Sequence, residues 1–254
     1  MARMGRGAKA VSARRRIPRF IILTRWAVFA VLLAGFAALA LLAWRWTPGG
    51  DTPPRNLPPY HGARVTVDPG HGGIDGGTGR AGVLEKDINL AIGLEVHRIL
   101  TENGIEATLT RDTDMDLGGQ GSGSRWRRDL EARIRKTQEH NAQLMVSIHA
   151  NASRKSSESG PLVFYPADSV EGRRLADAVL KSLRGLTEPN LNQPIAARFY
   201  VLRQSPVPTI LVETGFLTNP EDRQKLVDSG YQRQLAEAIA AGVLLYLTPP
   251  PATP

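Results

Sequence analysis

The chain has 254 residues, no cysteine and a formal net charge of +8. That length suits one good-sized domain with an appendage, and the lack of cysteine excludes disulfides and thiolate metal sites, leaving His, Asp and Glu as ligands for any metal. Nine of the 32 basic residues lie within 1–46, which hold none of the 24 acids, so the rest of the chain is close to neutral and offers no surface for nucleic acid.

Residues 1–25 form a basic segment. Trp26 to Trp44 then carry no charge over about the length that crosses a bilayer as a helix, with a tryptophan at each end for the interfaces. The preceding arginines orient the N-terminus to the cytoplasm by the positive-inside rule. A transmembrane anchor over 26–44 is therefore expected, with everything from Arg45 outside, in the cell envelope. A cleaved signal peptide is the alternative, disfavoured by the length of the apolar run and by Trp44-Arg45-Trp46 as a cleavage context. Residues 45–62, rich in Pro and Gly, read as a spacer, with His61 an incidental surface group. A folded domain is expected over 63–248 and a Pro-rich tail over 249–254.

Within the domain, 64–68 (RVTVD) reads as a first strand, and 85–102 as a helix with apolar residues at helical spacing, stopped by Asn103-Gly104. A strand over 105–110, an Asp/Gly loop, a charged helix over 127–140 and a buried strand over 144–149 (LMVSIH) follow. Strands over 160–165, 199–202 and 209–212 (TILV) and helices over 171–186, 221–228 and 231–246 complete the pattern. Alternating elements predict an α/β domain: a mostly parallel central sheet of about six strands with helices on both faces, preceded by one transmembrane helix.

In such sheets ligands bind beyond the carboxyl ends of the strands. His71 directly follows the first strand in Asp-Pro-Gly-His-Gly-Gly, His149 ends the strand LMVSIH, Glu213 follows TILV, and Glu85 opens the first helix. Two imidazoles and one carboxylate match the three-ligand set of catalytic zinc sites. With His71, Glu85 and His149 holding one Zn2+, Glu213 is left to move the proton of an attacking water. Asp68 and Asn151 flank the histidines and are expected to orient them. Taken singly, each group has a plainer reading: a core histidine, a helix-dipole partner for Glu85, a solvated Glu213. The turn itself invites a phosphate, but it has neither GxGxxG nor a P-loop lysine. Asp75 and Asp87 are weaker ligand candidates, His97 and His140 read as structural or surface residues, and Arg203 is a weak candidate for a substrate carboxylate.

The segments VDPGHGG, LEKDINL, VSIHANA and PTILVETGFLTNPED, in this order, resemble the motifs of the zinc-dependent N-acetylmuramoyl-L-alanine amidases of the Amidase_3 type, from about Val65 to Leu247. The resemblance implies zinc on His71, Glu85 and His149, catalysis by Glu213, and hydrolysis of the amide joining N-acetylmuramic acid to L-alanine in peptidoglycan. Some members carry a long insertion after the second histidine motif that blocks the metal until a partner displaces it. Asn151–Gly160 leaves room only for a short loop, so no such self-inhibition is expected, and no residue here identifies an activator. The anchor, the short spacer and FYVLRQSPVPTILVETGFLTNPE are similar to the germination-specific members of endospore formers, which would place the activity in spore cortex, toward muramic-δ-lactam. The alternatives are a non-catalytic peptidoglycan-binding protein on the same fold, and a zinc peptidase or deacetylase of the wall.

Overall fold

The computed structural model describes residue 58 and residues 60–248. The expected segment 1–25, anchor 26–44, tail 249–254 and most of the spacer 45–62 lie outside the described residues. Among the described residues no helix is long and apolar enough to cross a membrane. The end of the spacer is docked: His61 N donates to Pro58 O and Gly62 N to Gly104 O, while Tyr60 packs against the core.

In chain order the elements are β1 (Arg64–Pro69), β2 (Gly79–Arg80), β3 (Val83–Leu84), α1 (Glu85–Glu102), β4 (Glu106–Leu109), α2 (Arg125–Glu139), β5 (Leu144–Asn151), β6 (Leu162–Pro166), α3 (Val170–Leu183), β7 (Ile195–Ala197), α4 (Tyr200–Gln204), β8 (Thr209–Phe216), α5 (Pro220–Leu226) and α6 (Ser229–Leu247). Six strands form one sheet in the order β4-β1-β5-β8-β6-β7. The first four are mutually parallel; β6 runs antiparallel to β8 and parallel to β7. The remaining two, β2 and β3, make a small hairpin in the glycine-rich loop before α1.

The expected strand over 199–202 is instead the short helix α4, and the edge strand is Ile195–Ala197. Adjacent Val201 and Leu202 are both buried, against Leu211. A helix can bury neighbouring residues on one side, whereas a strand sends them to opposite faces. A four-residue apolar run does not distinguish the two by period.

Alternation along the central strands divides the sheet into two unlike faces. Val65 and Val67 of β1, Leu144, Val146, Ile148 and Ala150 of β5, and Ile210 and Val212 of β8 join one apolar cluster with α1, α3 and α6. The opposite face carries Thr66 and Asp68, then Met145, Ser147 and His149, then Leu211 and Glu213, and lies under α2 and α4. There the apolar contribution is small: Val201, Leu202 and Leu211, with Leu130 and Phe164 packed on them. Parallel registry sets Asp68 beside Ser147 and His149 beside Glu213. The ionisable groups thus collect on the polar face, at the carboxyl ends of the three central strands.

Candidate metal centre and active site

His71 lies just past β1 in the left-handed region, with φ of 61°, a conformation that persists in a non-glycine residue only when its surroundings enforce it. The enforcing groups are cationic side chains. Arg111, directly after β4, donates from Nε to Pro69 O (2.9 Å) and from Nη2 to Gly70 O (3.0 Å) and Lys86 O (2.7 Å). Arg133 of α2 donates from Nη1 to Pro69 O (2.8 Å) and from Nη2 to His71 O (2.8 Å). Lys86 Nζ reaches Gly73 O (2.8 Å), and Asp114 accepts from Gly73 N (2.7 Å). The loop carrying His71 is gripped from three elements.

Glu85 is the first residue of α1 and is buried. Its Oε1 lies 3.1 Å from His71 Nε2 and 2.9 Å from His149 Nδ1, and its Oε2 accepts from Thr78 N at 2.7 Å. Gly77, with φ of 65°, permits this: a Cβ there would meet Glu85 Oε2 at 2.5 Å. Gly70 is as tightly constrained, since a Cβ would overlap the His149 imidazole. His71, Glu85 and His149 each offer a donor atom within 4.8 Å of the others. Donors sharing a zinc ion at about 2.0–2.2 Å stand at most about 4.4 Å apart, and both Glu85 separations satisfy that. The electrostatics agree. Burial opposes an imidazolium at His71, yet the Glu85 and Asp75 carboxylates raise its pKa to about 9. The same burial opposes ionisation of Glu85, but hydrogen bonds and charge from His149 and His71 hold it well below the usual carboxylate range. The pocket favours positive charge at its centre, and a nitrogen, nitrogen, oxygen donor set fits zinc.

Glu213 stands beside His149, and its Oε2 is buried without a hydrogen-bond partner. Burial pushes its carboxyl up to about 7, where a group gives and takes protons readily near neutral pH. A cleft of about 490 Å³ opens onto these four residues, with Trp126, Asn151, Phe199 and Tyr200 among its walls. The β5–β6 connection over 152–161 contains turns and no helix, in line with the short loop expected there.

Two expected supports act otherwise than anticipated. Asp68 touches neither histidine. It accepts from Thr110 Oγ1 (2.6 Å), Ser147 Oγ (2.7 Å) and Arg133 Nη1 (2.7 Å), reaching His71 only through Arg133. Asn151 lines the cleft, but its Oδ1 accepts from Ala152 N. The group that orients His71 is Asp75, whose Oδ2 is 2.6 Å from Nδ1; that contact gives this carboxylate a role beside the ligand set. His140 bonds Glu106 O, His61 sits against Gly104, and Asp87 and Arg203 are exposed outside the cleft lining. Sequence reasoning missed Arg111 and Arg133, although Leu130, Arg133, Ile134 and Thr137 follow helical spacing and mark Arg133 as part of a buried stripe.

A family model described as N-acetylmuramoyl-L-alanine amidase matches residues 65–244. The germination-specific N-acetylmuramoyl-L-alanine amidase of Bacillus subtilis (strain 168) is 32% identical over 228 residues, covering 88% of this chain and 95% of the relative. The amidase AmiA of Escherichia coli (strain K12) is 30% identical, covering 85% and 90%. Among solved structures, the CwlD amidase of Clostridioides difficile, in complex with the GerS lipoprotein, superposes with a TM-score of 0.68 at 32% identity, over 73% of this chain and 98% of that one. AmiC2 of Nostoc punctiforme gives 0.63 at 40% identity, over 73% and 97%. The chain belongs to the Amidase_3 family of N-acetylmuramoyl-L-alanine amidases.

Proposed function

We propose that the domain hydrolyses the amide between the lactyl group of N-acetylmuramic acid and the L-alanine of the peptidoglycan stem peptide, with His71, Glu85 and His149 holding one zinc ion and Glu213 handling the proton. The observation that carries this reading is the buried, unpartnered Oε2 of Glu213 beside a His, Glu, His cluster. Zinc bound there supplies positive charge that polarises the scissile carbonyl and lowers the pKa of water. Glu213 takes a proton from the attacking water as the carbon–oxygen bond forms, then returns it to the alanine nitrogen as the carbon–nitrogen bond breaks. Asp75 holds the His71 ring through Nδ1, leaving Nε2 toward the cluster. Arg111 and Arg133 hold the loop, so the ligand is oriented before an ion arrives.

The wider setting belongs to the same proposal. Residues 26–44 anchor the protein, the domain lies on the extracytoplasmic side, and the product is peptide-free muramic acid on the way to muramic-δ-lactam in spore cortex. Support comes from the uncharged run with its basic flank and from the similarity to a germination-specific relative. Similarity to CwlD, solved in complex with a lipoprotein, supports a lipoprotein partner. Mass spectrometry of digested peptidoglycan tests the chemistry: stem peptides with a free L-alanine amine are expected. Release of acetate, or of fragments cut within the peptide, would replace the amide reading with a deacetylase or peptidase.

A further inference from the structure

The scissile amide of the proposed reaction joins a sugar to a peptide, so two chemically different arms must leave the cleft in two directions. The cleft lining includes Asn151, Ala152, Phe199 and Tyr200 as well as Trp126 with Asp75 and Asp129. Trp126, in the first turn of α2, is 60% exposed although its ring meets His71 edge-on with centroids 6.2 Å apart. Beyond it opens a second cavity of about 340 Å³, lined by Ile74, Asp75, Asp116, Arg125, Trp126 and Asp129. The cleft and this cavity share Asp75, Trp126 and Asp129, so a chain leaving the reaction centre on that side passes over the indole.

We propose that Trp126 and this cavity form a saccharide subsite that takes a sugar ring of the glycan strand, leaving the stem peptide to the rest of the cleft; the proposal rests on the amidase reading above. The charges select between the arms. Asp75 is bonded to His71, Asp129 to Arg133 and Asp116 to Arg125, so the one cation of the lining is committed. Stem peptides carry free carboxylates, which find no uncommitted cation in this lining. A pyranose ring carries hydroxyls that donate to carboxylate lone pairs, and an apolar C–H face that covers an exposed indole. The volume is within the range of small-ligand sites.

The full chain has tryptophans at 26, 44, 46 and 126, so the fluorescence difference between the native protein and Trp126→Phe isolates the signal of residue 126. Peptide-free glycan strands are expected to change that signal, and a free stem tripeptide to leave it unchanged. On intact peptidoglycan, Trp126→Ala is expected to raise KM at least about tenfold with a far smaller change in kcat and unaltered zinc content, and Trp126→Phe to restore most of the loss. An unchanged KM in the alanine variant, or a signal that answers to the peptide and not the glycan, overturns the subsite. The two readings fail separately. Glycan strands that shift the signal without any release of stem peptide would remove the amidase reading and keep the subsite.

Discussion

The sharpest test of the energetics is Arg133→Met. Arg133 and Asp68 are both buried, with side chains 2% and 1% exposed, and are 2.7 Å apart. Burial disfavours the Asp68 carboxylate, but the charge of Arg133 and hydrogen bonds from Thr110, Ser147 and Arg133 hold its pKa below the ordinary 3.8. Methionine fills much of the arginine stem's volume while removing the charge, leaving Asp68 as an uncompensated buried anion. Breaking a buried pair on one side costs about 3–5 kcal/mol, and a domain of this size loses about 2–4 °C of Tm per kcal/mol, for a fall of roughly 6–20 °C. The pH dependence carries the diagnostic sign. In the native protein the folded pKa lies below the unfolded one, so this contribution is present above about pH 4 and is lost as pH falls further. In the variant, burial acts without its counter-charge and raises the folded pKa, so stability declines as pH rises through about 4 toward neutrality. Urea titrations followed by circular dichroism from about pH 4 to 7 read both effects. Adding Asp68→Asn to Arg133→Met is expected to recover about half the loss, because the buried charge is gone while one hydroxyl keeps its acceptor and the other can turn to accept from the amide. A double variant no more stable than Arg133→Met, with the native pH slope retained throughout, would refute the assignment of Arg133 as the compensating charge.

Three further outcomes follow from the site. Glu213→Gln keeps the cleft's shape and the three ligands, so zinc content measured by atomic absorption should be unchanged while stem-peptide release falls about 10²–10⁴-fold; His149→Ala should lose both. Gly70→Ala drives a methyl into the His149 imidazole. Competition with a chromogenic chelator should show zinc affinity reduced about 10–100-fold, as when a metal ligand's support is disturbed. Removing zinc with a chelator should leave the far-UV spectrum and a cooperative melt intact, because Arg111, Arg133 and Lys86 already hold the ligand loop. The melt should move down by the binding linkage alone, about 2.7 kcal/mol if zinc was at a hundred times its dissociation constant.

The placement of the four candidate residues was readable in the sequence because each marks the end of an element. His71 follows β1, Glu85 opens α1, and His149 and Glu213 fall near the carboxyl ends of β5 and β8. Period-two and period-3.6 patterns locate such ends, and the rule for parallel sheets brings them to one edge. What the sequence did not disclose is what pairing across the fold decides. Asp68 lies 65 residues from its arginine, and α2 holds six basic residues, of which only spacing distinguishes the buried one. The antiparallel turn of β6 depends on which side of β8 it joins, a choice with no local signature. In α4 the deciding fact is that Val201 and Leu202 both find cover on Leu211, which only the packed structure supplies.

The two faces of the sheet also explain how this domain tolerates so much buried charge. Under α1, α3 and α6, 26 buried apolar residues form one cluster; the cluster under α2 and α4 has three, with Ala132 and Ile134 of α2 and Met145 of β5 also buried. Hydrophobic stabilisation scales with area removed from water, so most of it resides on the face away from the chemistry. The polar face and the carboxyl edge of the sheet can then hold Glu85, Glu213, Asp68, Arg111 and Arg133, arrangements that would be ruinous in a core on which folding depended. It follows that substitutions of two kinds should separate cleanly. Changes to unpaired reacting groups such as Glu213, whose orphaned oxygen contributes nothing to folding, should cost activity and leave stability equal or higher. Changes to the arginines should cost stability first, and activity through the loop they hold.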